Sequence, residues 1–160
     1  MQENPAKNQK NRRRKTIVSA CLLGEACRYD GCSKAHAGVT AAVADDEVIP
    51  FCPEAPVLGT PRGRISVRAD DTGLRVRKDA DGTDVTDALI AETDKLLAVH
   101  PDADRVILKS KSPSCGLGTT PILDEAGNEI GRGNGIAADL LLHTLRGADI
   151  VDEHAFDDMV

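Results

Sequence analysis

The sequence predicts an α/β protein: a single three-layer domain with a mostly parallel sheet. Three observations lead there. The 160 residues contain two Phe, one Tyr and no Trp, so the core must be built from Val, Ile, Leu and Ala, which suits strands buried under helices. Short β-branched runs alternate with segments of helical period, the pattern of parallel strands joined by helical crossovers. Three of the five cysteines stand where such strands end, the edge at which open α/β sheets place their ligands.

Taken in order, Thr16–Leu23 (TIVSACLL) reads as a strand buried on both faces that runs into Cys21. Residues Ser33–Ala44 are alanine-rich and predict a helix with Ser33 as its N-cap, ending near Asp45 and Asp46. Val48, Ile49 and Phe51 make a second strand, stopped by Cys52 and by Pro53, which cannot donate to a ladder. From Gly59 to Gly82 the chain alternates through Ile65, Val67, Leu74 and Val76, with Asp71, Thr72 and Gly73 between, and predicts a hairpin on the flank. Asp84–Val99 carries Val85, Leu89, Leu96 and Leu97 at helical spacing behind a capping aspartate. Val106–Leu108 is the third strand, and its exit, SKSPSCG, holds Cys115. After a turn-rich stretch, Gly135–Leu145 predicts another helix and Ile150 and Val151 a last short strand. No internal repeat and no second domain are visible.

A net charge of −6 argues against a nucleic-acid partner held by its phosphates. The basic residues crowd the start, where 1–15 predict a disordered tail in which Arg12, Arg13, Arg14 and Lys15 form a solvated leader rather than an RNA or membrane contact. That stretch lacks the apolar core of a secretory signal, and no run approaches the roughly 20 apolar residues of a spanning helix. A soluble cytoplasmic protein without a membrane partner is expected. Oligomeric state is not legible.

In such a setting five cysteines point to metal binding or catalysis rather than a disulfide framework. Thiolates prefer zinc, copper(I) and iron–sulfur clusters. Structural zinc would bring paired C-x2-C ligands, whereas Cys21 and Cys27 are six apart and Cys27 and Cys32 five apart. Spacing alone leaves two readings of Cys21, Cys52 and Cys115 open, a metal or cluster site and small buried hydrophobes. Histidines 36, 100, 143 and 154 show no ligand spacing, and DADGTD (Asp79–Asp84) lacks the EF-hand glycine at its sixth position. Gly131, Gly133, Asn134 and Gly135 fit an anion site at a helix start less well than plain turn chemistry.

Five motifs carry a resemblance: VSACLLGEACRYDG (Val18–Gly31), FCPE (Phe51–Glu54), GTPR (Gly59–Arg62), DVT (Asp84–Thr86) and LKSKSPSCG (Leu108–Gly116). Together they make the chain similar to the thiouracil desulfurase family, formerly a domain of unknown function, from about Ile17 to the last helix. The resemblance implies an α/β fold with a [4Fe-4S] cluster at the carboxyl ends of the strands and a fourth iron that captures the sulfur of a thiolated uracil. It implies Cys21, Cys52 and Cys115 as ligands, Glu54 as a catalytic group and a catalytic serine that is either Ser110 or Ser112. Arg28, Tyr29 and Asp30, which follow the first ligand, and Ser114 and Gly116 beside the third, are expected to bind substrate or to hydrogen bond around the ligands. Cys27 and Cys32 are expected to be bystanders. Family members often carry Gly-Gly-Leu between the CPE and PR motifs, where this chain has Ala55–Gly59, which leaves its choice of thiobase open.

The expected reaction is hydrolysis of a C=S bond without net electron transfer, with Glu54 as base for the attacking water and the serine passing a proton to the base ring. Two rivals remain. A low-molecular-weight thiol phosphatase or arsenate reductase would use a similar cysteine loop, but with five residues between nucleophile and arginine where Cys21 and Arg28 have six. A non-catalytic metal- or cluster-binding module would explain the cysteines and leave Glu54 and the serine-rich loop without a task.

Overall fold

A computed structural model of the chain describes residues 12–25 and 34–159. Four strands form one wholly parallel sheet: β1 (Lys15–Ser19), β2 (Glu47–Phe51), β5 (Arg105–Leu108) and β8 (Asp149–Asp152), in the order β2-β1-β5-β8. The apolar runs of its central strands β1 and β5 are buried on both faces, as a parallel sheet between helices requires, and those of the outer strands β2 and β8 are mostly half-buried. Ile17, Val106 and Leu108 face one cluster, completed by Leu97, Ala137, Ala138 and Leu141. Val18 and Ile107 face the other, with Leu22, Val39 and Val43. Those clusters belong to helices on opposite faces: α3 (Thr86–Val99) and α4 (Ile136–Thr144) on one, the short α1 (Ala37–Ala42) on the other. The three layers expected from the sequence are present. Pro50 lies within β2, where the outer position of that strand tolerates a missing donor.

The stretch read as turns after Cys115 contains two strands, β6 (Thr120–Leu123) and β7 (Glu129–Gly133). They join the predicted hairpin, β3 (Ile65–Asp70) and β4 (Gly73–Lys78), in a second sheet of order β4-β3-β6-β7. β3 and β6 run parallel and the outer pairs antiparallel. This sheet packs Val67, Val76 and Ile122 against Val85 and Leu89. Leu89 and Leu97, two turns apart on α3, thus serve one core each, and the helix ties the two sheets together.

Two further expectations need correction. The N-cap of α1 is His36, whose Nδ1 accepts from the Val39 amide at 3.1 Å; Ser33 lies outside the described residues. The basic leader does not stay free up to residue 15. Lys15 opens β1, Arg12 pairs with Asp104 at 2.9 Å, and Arg13 donates to the Asp46 carbonyl at 2.6 Å, because the parallel neighbours of β1 bring acidic turns beside it. Residues 1–11 lie outside the described part.

The parallel sheet also decides where chemistry can occur. The chain leaves β1 for β2 on one side and later crosses to β5 on the other, so the strand order reverses between β1 and β5. A crevice opens at the carboxyl edge of such a reversal.

Candidate active site

Cys21 sits in the 3-10 turn Ala20–Leu23 directly after β1, Cys52 directly after β2, and Cys115 in the loop after β5. All three line one cavity of about 620 Å³, within the size range of small-molecule sites. Cys21 and Cys115 are buried and Cys52 is half-buried, and no disulfide joins them. The first sheet supplies the floor; Ile65, Ser66 and Val67 of β3 and Thr120, Pro121 and Leu123 of β6 supply the facing wall. One strand of that wall, β6, was not expected from the sequence, and the other, β3, belongs to the predicted hairpin.

The loop holding Cys115 is fastened at both ends. Ser112 Oγ accepts from the amides of Ser114 (3.1 Å) and Cys115 (3.0 Å), and its carbonyl accepts from Gly116 N (3.0 Å) and Thr120 Oγ1 (2.6 Å). The amino end of α4 docks on the same loop: Ala137 N and Ala138 N donate to the Ser114 carbonyl at 2.9 and 3.0 Å, and Gly135 N to that of Gly116 at 2.8 Å. These are the amides a helix start would otherwise offer to an anion, so Gly135 serves the loop. A Cβ at Gly135 would lie 2.4 Å from the Ser114 carbonyl carbon, and one at Gly116 would lie 2.1 Å from Thr120 Oγ1.

Glu54, first residue of α2 (Glu54–Leu58), is buried beside this loop. Its Oε1 pairs with Arg62 Nη2 at 3.0 Å, and its Oε2 accepts from Ser114 Oγ at 2.8 Å and Ser112 Oγ at 3.4 Å. Arg62 is itself buried and donates to the Gly59 carbonyl at 2.9 Å. The two serines that sequence reasoning left undecided face different partners. Ser110 N donates to Glu153 Oε1 at 2.8 Å, its hydroxyl lies 3.2 Å from Glu153 Oε2 and 3.3 Å from His154 Nε2, and Lys109 bridges to Glu153 at 3.1 Å. Between the serines Lys111 adopts φ 64°, and this reversal turns the two hydroxyls into different surroundings.

Burial pushes the Cys115 thiol well up; a hydrogen bond with Ser19 pulls the other way, while Glu54, Cys21 and Cys52 are near enough to add to the rise. Three thiols and a carboxylate around one cavity repel one another when ionised, and a soft cationic group is what lets them coexist as thiolates. Among the described residues no three His, Cys, Asp or Glu side chains are grouped to hold one metal ion.

Of the expected site residues, Cys21, Cys52, Glu54, Ser110, Ser112 and Cys115 line the one cavity. Ser114 touches Glu54, and Gly116 closes the cysteine turn. Arg28, Tyr29 and Asp30, like Cys27 and Cys32, lie outside the described residues. Arg62, Arg64, Lys34, Lys109 and Asp79 also line the cavity and were not foreseen; Arg62 and Lys109 had a signal, their places in GTPR and LKSKSPSCG.

A parallel α/β sheet with a cysteine-lined crevice at its strand reversal defines an enzyme pocket of the soft-ligand kind. The family within that class follows from comparison with known proteins. The chain belongs to the 2-thiouracil desulfurase family, whose sequence model matches residues 16–153. It is 32% identical over 154 residues to the uncharacterised protein YbbK of Bacillus subtilis (strain 168), a match covering 90% of this chain and 99% of that one. Among solved structures it is similar to the [4Fe-4S]-dependent thiouracil desulfidase TudS, with 32% identity, a TM-score of 0.69, and coverage of 91% of this chain and 95% of that one. Among the described residues no helix is long and apolar enough to cross a membrane.

Proposed function

We propose that the chain is an iron–sulfur desulfurase in which Cys21, Cys52 and Cys115 hold a [4Fe-4S] cluster and a small thiolated nucleobase of the thiouracil kind is hydrolysed to its oxo form with release of sulfide. The observation that carries this reading is the meeting of three thiols from three strand ends with one fastened carboxylate on a single cavity. The donor set fits: all three ligands are soft sulfur, and three separate loops bring them to one cavity. Bound there, a four-iron cluster with three protein ligands supplies an open Lewis-acid position for the substrate's sulfur.

The chain's own residues do the rest. Arg62 and Ser114 hold the two oxygens of Glu54 in place, so the carboxylate keeps one orientation toward the cavity. Oε2 accepts from two serines, whereas Oε1 accepts from Arg62 and keeps a second lone pair, with which Glu54 takes a proton from the attacking water. Ser112 braces the Cys115 turn and touches Glu54. Ser110 lines the same cavity, and in this reading its hydroxyl, which otherwise donates to Glu153 Oε2 at 3.2 Å, gives a proton to the leaving side of the substrate. Residues 16–160 form the desulfurase unit, and its reduced thiols suit the cytoplasm.

The test is anaerobic purification and reconstitution, followed by iron and acid-labile sulfide analysis and assays of sulfide release from 2-thiouracil and phosphate release from a phosphomonoester. The expected result is about four irons per chain and sulfide release. Iron-free protein, or phosphate release without sulfide, would overturn the proposal.

A further inference from the structure

We propose that His154 and Asp157, acting through Ser110, form a proton relay between solvent and the cavity. This rests on the desulfurase reading above. Asp157 Oδ2 lies 3.0 Å from His154 Nδ1, and His154 Nε2 lies 3.3 Å from Ser110 Oγ. Ser110 is 4% exposed and lines the cavity, whereas the His154 side chain is 61% exposed. The line therefore runs from a buried hydroxyl to open water. It repeats the order carboxylate, imidazole, hydroxyl, in which the carboxylate holds Nδ1–H and leaves Nε2 to exchange a proton with the hydroxyl.

The far end is fixed as well. Val39 N donates to Nδ1 of His36, which makes Nε2 the proton-bearing nitrogen of that ring, and Nε2 lies 2.9 Å from Asp157 Oδ1. Asp157 thus holds His154 in one orientation. The charged groups around His154 are Asp152, Glu153 and Asp157 from its own segment, Lys109 from the loop after β5 and His36 ahead of α1. Lys109 is tied to Glu153 and to the Ser110 carbonyl and hydroxyl, so His154 is the imidazole that joins the Ser110 hydroxyl to solvent. The hydrogen bond to Asp157, then the charge of Glu153, raises its pKa and favours the proton-loaded form.

The step balances without electron transfer. Water's oxygen bonds to the thiocarbonyl carbon as one proton passes to Glu54, and the second proton leaves when the carbonyl forms. The C–S bond breaks with its electron pair on sulfur. Sulfur takes one proton from Ser110 and departs as HS⁻; Ser110 is refilled by His154, and His154 by solvent. Two protons go out and one comes in, so each turnover consumes one water and releases HS⁻ and one H⁺. His154 and Asp157 are positioning residues, since they act through Ser110.

The test compares the iron-loaded wild type with His154→Gln and Asp157→Asn, measuring sulfide release from 2-thiouracil between pH 6 and 10 and the His154 ring titration by NMR. A relay that must be protonated loses rate as pH rises through the His154 pKa. His154→Gln should keep its iron and KM, lose about 10²-fold in kcat, lose that alkaline limb, and recover part of its rate with added imidazole. Asp157→Asn should move the ring titration and the alkaline limb together to lower pH. Wild-type kcat and pH profile in His154→Gln would overturn the relay, as would a ring titration in Asp157→Asn that shifts without the rate. Those outcomes leave the desulfurase reading intact. A wild type that holds no iron and releases no sulfide removes both.

Discussion

Ser110 and Ser112 look alike in the sequence and differ in the structure, and that difference predicts separable phenotypes. Ser112 Oγ accepts two buried amides, Ser114 N and Cys115 N, so Ser112→Ala leaves both without a partner at about 1–3 kcal/mol each and loosens the turn that presents Cys115. It should purify with less iron than the wild type and melt earlier. Ser110→Ala touches no cysteine amide; iron analysis should find its cluster intact while kcat falls. Glu54→Gln retains the shape of the carboxylate and removes the base, and is expected to keep its iron and lose about 10²–10⁴-fold in sulfide release. The cysteines and Glu54 were singled out by the FCPE and LKSKSPSCG motifs of the family, since residue type and spacing alone left cluster ligands and small buried hydrophobes both open. Arg62 was not assigned a role, because its pairing with Glu54 eight positions away exists only once α2 and the turn at Gly59 fold the chain back on itself.

The β1, β2, β3, β4, β5 and β8 strands and the two long helices were readable from periodicity, since each buries an apolar face of its own. β6 and β7 were not. Pro121 and the glycines of EIGRG argue against strands, yet β3 pairs with β6 only at Ile122 and Leu123, which spares the proline from that ladder. Long-range pairing with β3, invisible to a local window, overrides the local preference. The start of α4 shows a similar dependence. Gly135 marks the helix boundary in the sequence, but its structural task is to let the helix approach the Cys115 loop. Gly135→Ala would place its Cβ 2.4–2.8 Å from three backbone atoms of Ser114 and Cys115, none of which can swing aside. The expected cost is about 1–3 kcal/mol, seen as a lower urea midpoint together with lost iron. Gly131→Ala, with nothing within 4 Å of its added Cβ, should match the wild type in iron content.

Across the whole molecule, the parallel sheet is pinned at the end opposite the cavity by a buried ion pair. Arg105 Nη2 meets Asp46 Oδ2 at 2.7 Å, Thr16 Oγ1 donates to the same oxygen at 2.6 Å, and both charged residues are about 5% exposed. Arg105 opens β5, Thr16 lies in β1, and Asp46 immediately precedes β2, so one carboxylate ties three adjacent strands. Burial pushes the Asp46 pKa up, but the hydrogen bonds from Thr16 and Arg105 with the charges of Arg14 and Arg105 outweigh it, and the net shift is downward. A carboxylate with a depressed folded pKa stabilises the fold fully above its unfolded value of about 3.9 and loses that contribution as pH falls through the lower folded value. Asp46→Ala leaves Arg105 buried without its counter-charge and should cost about 3–5 kcal/mol at pH 7, roughly 10 °C in melting temperature for a chain of this size. Urea unfolding of wild type and variant at pH 7, 5 and 3 provides the check. The two proteins share every other titrating group, so the gap between them isolates Asp46. It should hold from pH 7 to pH 5 and begin to close below about pH 4; a gap that widens toward pH 3 would show that this carboxylate does not tie the strands in its charged form.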